Sequence, residues 1–180
     1  MIIQNKILSG ERPLYGSRDL RLERVTIGEG ESALKECRHI EAHDCEIQGM
    51  YVFWECEDVE CRNCHFTSDD RAPLWYGKNI RMHDCIMDAP KVFRELDGLT
   101  LENIQISDGA EAFWYCKNGH LSDLNMQRAE YAFMQSSKLQ INNLTLQGKY
   151  TFQYARNIEI HNAVLDTKDA FWNSEDCTIY

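Results

Sequence analysis

The stretch Leu99-Thr100-Leu101-Glu102-Asn103-Ile104-Gln105-Ile106-Ser107-Asp108-Gly109-Ala110-Glu111-Ala112-Phe113-Trp114-Tyr115-Cys116-Lys117-Asn118 is the unit that the rest of the chain repeats. Leu99 and Leu101 alternate, Ile104 and Ile106 alternate, and Phe113 and Cys116 close the unit. Phe93, Phe113, Phe133, Phe152 and Phe171 follow one another at steps of 20, 20, 19 and 19 residues, and Leu74, Phe53, Leu34 and Leu14 carry the column back. A fixed period of this size is the signature of a solenoid, in which each turn contacts only its neighbours.

The columns say which solenoid. The first alternating pair recurs as Leu20/Leu22, Ile40/Ala42, Val59/Cys61, Ile80/Met82, Leu139/Ile141 and Ile158/Ile160. The second recurs as Val25/Ile27, Cys45/Ile47, Cys64/Phe66, Cys85/Met87, Leu124/Met126, Leu144/Leu146 and Ala163/Leu165. Period-two alternation over a few residues is a short strand with one buried face. The step between pairs is three residues rather than two, so the chain must bend there. The bending residue is Arg24, Asp44, Asn63, Asp84, Asn103, Asp123, Asn143 and Asn162 in turn. Asn and Asp tolerate the left-handed conformation and bond their own backbone, so stacked coils should carry a ladder of amides and carboxylates.

These features predict an all-β fold: a parallel β-helix (solenoid) of about nine coils of 19–21 residues, three short strands to a coil. A leucine-rich repeat would need Asn or Cys where Gly30, Met50, Asp69, Pro90, Gly109 and Ala129 stand. A pentapeptide-repeat helix would put an apolar residue at every fifth position; Leu99 and Ile104 fit that step and Gly109 does not. One domain is expected over residues 1–180, with residues 1–13 as an amino-terminal half coil, in which Ile7 aligns with Ile27 and Ile47, and residues 14–180 as repeats. The last strand stops inside a new coil, which leaves its edge open and makes the carboxy-terminal end a candidate for self-association.

The formal charge of −10, with no Lys/Arg cluster, argues against a nucleic-acid ligand. No apolar run is long enough to span a bilayer, and Met1–Gly10 lacks a cleavage signature, so a cytoplasmic protein with no membrane partner is expected. Cys61 and Cys64 form a C-x-x-C, but they fall in inward columns with Cys45 and Cys85 and read as small core hydrophobes. No metal or cofactor is implied.

The surface column after the inward Phe is more telling. It holds Tyr15, Lys35, Trp54, Trp75, Arg94, Trp114, Met134, Gln153 and Trp172, which places all four tryptophans on one outward line. Tyr76, Tyr115 and Tyr154 run beside it. Exposed apolar patches of this size mark contact sites. Trp54, Trp75, Tyr76, Arg94, Trp114, Tyr115 and Trp172 are therefore the candidate binding residues, for a carbohydrate or a protein. The competing expectation is a ladder of rings packed on one another. Candidate catalytic acids are Glu55 and Glu95, two coils apart and about 9.6 Å from backbone to backbone, near the carboxylate separation of an inverting glycosidase. Glu41 and Glu60 form a weaker pair on adjacent coils, flanked by Arg21 and Arg81 in what also reads as an ion-pair ladder.

Gly10-Glu11-Arg12-Pro13-Leu14, Leu34-Lys35-Glu36, Leu74-Trp75-Tyr76, Ala112-Phe113-Trp114 and Lys168-Asp169-Ala170-Phe171-Trp172-Asn173 resemble a bacterial family of uncharacterised β-helix proteins, domain of unknown function 3737, within the pectin-lyase-like superfamily. The resemblance covers nearly the whole chain. It implies a right-handed parallel β-helix and a bacterial origin, and it brings no catalytic residues. The sequence reading favours a non-catalytic binding or scaffold protein. A carbohydrate-active hydrolase or lyase is the runner-up, and a structural or assembly module the third alternative.

Overall fold

The computed structural model describes every residue from Met1 to Tyr180 and contains strands and turns with no helix. On the first side of the coil lie β1 (Ile2–Gln4), β3 (Arg18–Glu23), β5 (Arg38–His43) and β7 (Glu57–Arg62). On the second lie β2 (Ile7–Glu11), β4 (Thr26–Glu31), β6 (Glu46–Ile47) and β8 (His65–Phe66). From β9 (Lys78–Met87) onward the two sides run together as one bent strand per coil: β10 (Asp97–Ile106), β11 (Lys117–Met126), β12 (Ser137–Lys149) and β13 (Arg156–Lys168), with β14 (Glu175–Ile179) last. Each strand pairs in parallel with its equivalent one coil away, giving a parallel β-solenoid of about nine turns. Leu99 pairs with Ile80 and Gly119, and Ile104 with Cys85 and Leu124, so residues one repeat apart are vertical neighbours.

The bends obey the Asn/Asp column. Every one of the eight corner residues has a φ between 50° and 56°, Arg24 included. The expected ladder joins coils in pairs: the side-chain amide of Asn63 donates to Asp44 at 2.6 Å, that of Asn103 to Asp84 at 2.6 Å, and that of Asn143 to Asp123 at 2.9 Å. Alternation of Asp and Asn keeps carboxylates from stacking on carboxylates.

The third side departs from expectation. It is a run of turns touched only by isolated bridges such as Trp75 to Arg94 and Arg94 to Trp114. The cause is backbone conformation: Glu111, Phe113 and Tyr115 have φ of 59°, 60° and 58°, and other coils repeat the pattern. A strand needs φ near −120° at successive residues, and this alternation of left-handed and other residues cannot supply it. Coil-to-coil bonds persist all the same, for example from the amide of Tyr115 to the carbonyl of Met134 at 2.9 Å. Three details of register also differ. Leu8, not Ile7, pairs with Ile27, and Ile7 is 76% exposed. Gly109, which breaks the five-residue step by type, keeps it in space: Leu99, Ile104 and Gly109 are all buried. Gly109 is small because the next coil comes close, and a Cβ there would sit 3.2 Å from Ala129. Gln153, expected outward, is covered.

The interior is a single apolar column of 48 residues. Phe93, Phe113, Phe133, Phe152 and Phe171 form an unbroken stack with centroids 4.8, 4.5, 4.5 and 4.7 Å apart. Leu74 interrupts this column, and nearby Phe66, 6.3 Å from Phe53, supplies an aromatic ring from the second side. Nothing in the structure is a helix long and apolar enough to cross a membrane.

Candidate functional site

The side chains on the third side form a ladder of their own. Trp54 and Trp75 stack at 5.1 Å and 7°. The Arg94 guanidinium lies 4.2 Å from the Trp75 ring and 4.4 Å from the Trp114 ring, so it is sandwiched between them. Lys35 closes the other end, 5.8 Å above Trp54. Each indole N–H is used as well: Trp54 donates to Ala72, Trp75 to Lys91 and Trp114 to Tyr131, at 2.6, 2.6 and 2.7 Å. Arg94 and Lys91 both bond Glu111, at 3.0 and 3.1 Å. Desolvated cation–π contacts are worth about 2 kcal/mol each, so this ladder is a stabilising spine as much as a surface.

The ladder occupies most of the ring faces that a sugar would need. Trp54, Trp75 and Trp114 are half-buried, and only Trp172, 56% exposed, has a freer ring. Trp54 and Trp75 thus have both ring faces taken by their neighbours and Trp114 has one, because side chains one coil apart lie within stacking distance.

The tyrosines behave differently. Tyr76, Tyr115 and Tyr154 are 42%, 43% and 40% exposed. Each meets a tryptophan nearly at right angles: Trp75 with Tyr76 at 5.9 Å and 87°, Trp114 with Tyr115 at 6.5 Å and 84°, Tyr154 with Trp172 at 5.3 Å and 74°. Tyr76 and Tyr115 pair with the tryptophan before them on their own coil and Tyr154 with Trp172 of the next coil, so an exposed tyrosine set against a tryptophan recurs on every second coil. The intervening coils carry exposed Glu95 and Gln135, and the Gln135 amide donates to the Tyr115 hydroxyl at 3.4 Å. Between Tyr76 and Tyr115 lies an open hollow of about 480 Å³, floored by Gly77 and Leu96 and edged by Glu95, Lys78 and Lys117.

The acids predicted for catalysis keep the places the repeat gives them, with Glu55 and Glu95 two coils apart. The amide of Glu55 bonds the Trp75 carbonyl, that of Tyr76 the Arg94 carbonyl, and that of Glu95 the Trp114 carbonyl. Tyr76 thus stands on the coil between Glu55 and Glu95, and Glu55 is held by Lys35 at 3.2 Å. Glu41 and Glu60 are direct cross-strand neighbours, as predicted. Burial works to raise the Glu60 carboxyl, but hydrogen bonds from Arg62 at 2.5 Å and Arg81 at 3.3 Å outweigh it and hold the group below its ordinary range. Arg21 lies 3.9 Å from Glu41. A glycosidase acid must be kept protonated near neutrality, and the two arginines at Glu60 favour the opposite state there.

Cys45, Cys61, Cys64 and Cys85 are free and buried in the interior. Cys64 donates to the Ala42 carbonyl at 3.2 Å and Cys85 to the His83 carbonyl at 3.2 Å. Burial pushes the Cys116 thiol up to about 12. One anomaly is invisible in the sequence pattern: Asp70 is 1% exposed and neither carboxyl oxygen has a partner. Burial drives this carboxyl well above its ordinary value, and the Arg71 backbone only partly offsets the shift. The signal available was length, since Phe66 to Leu74 is the longest connection between second and third sides.

A family model described as "Protein of unknown function (DUF3737)" matches residues 1–180. No curated protein matches the chain. Among solved structures, HetL, a pentapeptide repeat protein involved in heterocyst differentiation regulation from the cyanobacterium Nostoc sp. strain PCC 7120, is 12% identical. Its alignment covers 97% of this chain and 86% of that one, with a TM-score of 0.38.

Proposed function

The chain belongs to the DUF3737 family of proteins of unknown function, and from that premise we propose that it is a non-catalytic binding scaffold whose ligand face is the third side of the solenoid. We take the winding as right-handed, as the resemblance to pectin-lyase-like β-helices implies. The observation that carries the reading is the pairing of a pinned ladder with a free stripe. Lys35, Trp54, Trp75, Arg94 and Trp114 hold one another rigid, while Tyr76, Tyr115 and Tyr154 stay exposed beside them on every second coil. Rigid aromatic groups lose little conformational entropy when a ligand docks, which is what makes them effective anchors.

Carbohydrate is a second reading of the same face, favoured by the exposure of Trp172 against Tyr154. A hydrolase built on Glu55 and Glu95 has less support, since Tyr76 divides them. Two measurements test the proposal. Tryptophan fluorescence is titrated with peptide and oligosaccharide ligands, on the native chain and on a Tyr76→Ala, Tyr115→Ala, Tyr154→Ala triple variant; a response lost in the variant is expected. Reducing-sugar release is followed in parallel. Release that persists in Glu41→Gln and vanishes in Glu55→Gln would overturn the non-catalytic reading.

A further inference from the structure

The tyrosine stripe has a period, and the period selects a ligand shape. Tyr76, Glu95, Tyr115, Gln135 and Tyr154 follow one another coil by coil, each amide bonded to a carbonyl of the next coil at 2.8–2.9 Å. Exposed tyrosines therefore recur every two coils, about 9.6 Å along the solenoid axis. Three polypeptide shapes can be laid along such a line. An extended strand returns a side chain to the same face every about 6.8 Å, or every about 13.6 Å for alternate ones, and misses the tyrosines. An α-helix returns to one face after two turns at about 10.8 Å, which falls out of step by more than 1 Å at each tyrosine. A polyproline II chain has three residues per turn and returns every about 9.3 Å. It slips by only about 0.3 Å per interval, so three successive turns can meet three tyrosines.

We infer that the stripe binds a basic, proline-rich segment of another protein in the polyproline II conformation, with every third residue seated on Tyr76, Tyr115 and Tyr154. The inference rests on the binding-scaffold reading above and names its partner. Aromatic rims that meet tyrosine at right angles are the surface that pyrrolidine rings pack against, and a preformed left-handed helix brings little ordering cost. Charge sets the rest of the motif. Glu95 stands exposed between the first two tyrosines with no cation within 4 Å; of the two lysines that edge the same hollow, Lys117 is paired with Asp97 at 3.3 Å, and the chain carries a formal charge of −10. A Lys or Arg between two anchor prolines would meet Glu95. Gln135, in the equivalent place between Tyr115 and Tyr154, offers an amide to the ligand backbone, whose carbonyls are unbonded in this conformation.

The test is a titration of tryptophan fluorescence with a tryptophan-free decapeptide carrying proline at every third position and arginine between. The comparison peptide has the same composition with proline at every fourth position. Cellohexaose, a β-linked oligosaccharide, serves as a third ligand. Tyr115→Ala should weaken the first peptide by about tenfold or more, as loss of a central aromatic anchor does. Glu95→Gln should weaken it severalfold and flatten its salt dependence. Tyr131→Ala, a tyrosine of equal exposure (40%) outside the stripe, should leave the affinity unchanged and acts as the folding control. Equal affinity for the two peptides, or indifference to Tyr115→Ala, overturns the inference. Binding of the oligosaccharide alone, lost in Tyr115→Ala, overturns it while sparing the scaffold reading. Binding of none of the three by folded protein overturns both.

Discussion

A left-handed backbone costs a residue with a β-carbon about 1–2 kcal/mol, yet each coil uses the conformation repeatedly, even at the buried Phe113 and Phe133. The strain persists because packing and coil-to-coil hydrogen bonds over-determine it. Where the position is exposed, as at Asn63, Asn103 and Asn143, the residue type suits the conformation; where it is buried, volume decides and Phe stays. Asp70 is the place where neither rule is served. Its burial without a partner favours the protonated acid in the folded chain, so the native state holds a proton that the unfolded chain releases. The associated stability is fully present below the unfolded value near 3.8 and is lost as pH rises through the raised folded value. Asp70→Ala removes that dependence, and alanine is also what the corner carries at Ala89 and Ala129. The variant should be more stable than the native chain at pH 8 by about 1–3 kcal/mol, the cost of a buried unpaired group, and the gain should shrink toward pH 4. Urea midpoints at both pH values check this; a gain independent of pH would show that the carboxyl is ionised in the folded chain.

Among the elements, the first two sides are legible from the sequence and the third is not, for a physical reason. Leu99/Leu101 and Ile104/Ile106 alternate because an extended chain alternates, and the observed registers follow directly. Trp114 and Tyr115 have the composition of a strand, and β-propensity measures fit to a pleated surface rather than a backbone preference. Here the fit is to rings one coil away, so the same residues fold as turns. The outward tryptophan column is readable by spacing, but not the direction in which the rings lie down, since that depends on Arg94 slotting between Trp75 and Trp114. Asp70 is unreadable because a lengthened connection does not announce which residue it buries. The phenylalanine column, by contrast, is read correctly down to its members. Phe133, flanked by Phe113 and Phe152 at 4.5 Å on each side, should lose about 3–5 kcal/mol on substitution by alanine. Phe133→Leu should cost less, because Leu74 occupies the same column without breaking the solenoid. Thermal denaturation of both variants orders them; an equal loss would mean that ring stacking contributes more than volume.

At the scale of the molecule, each coil touches only the coils above and below, so stability is a sum of coil terms and nearest-neighbour interfaces. This makes whole coils interchangeable parts and fractions of a coil destructive. Removal of Asp97 to Cys116 joins Leu96 to Lys117, and because Asp97 pairs in register with Lys117, every inward column is restored. Removal of Asp97 to Ile106 alone would leave Leu96 followed by Ser107 and pair the first side of one coil with the corner of the next, turning apolar columns out of the core. The first deletion should fold, with a β-sheet circular dichroism spectrum and one cooperative thermal transition at reduced Tm, and the second should not. The pair of deletions also separates architecture from surface. The folded twenty-residue deletion lacks Tyr115 and brings Tyr76 and Tyr154 one coil closer, about 14 Å apart, which no multiple of a polyproline turn matches. It should keep the solenoid and lose the proline-rich peptide. Retention of that peptide at native affinity would mean that the ligand reads the solenoid edge rather than the spacing of its tyrosines.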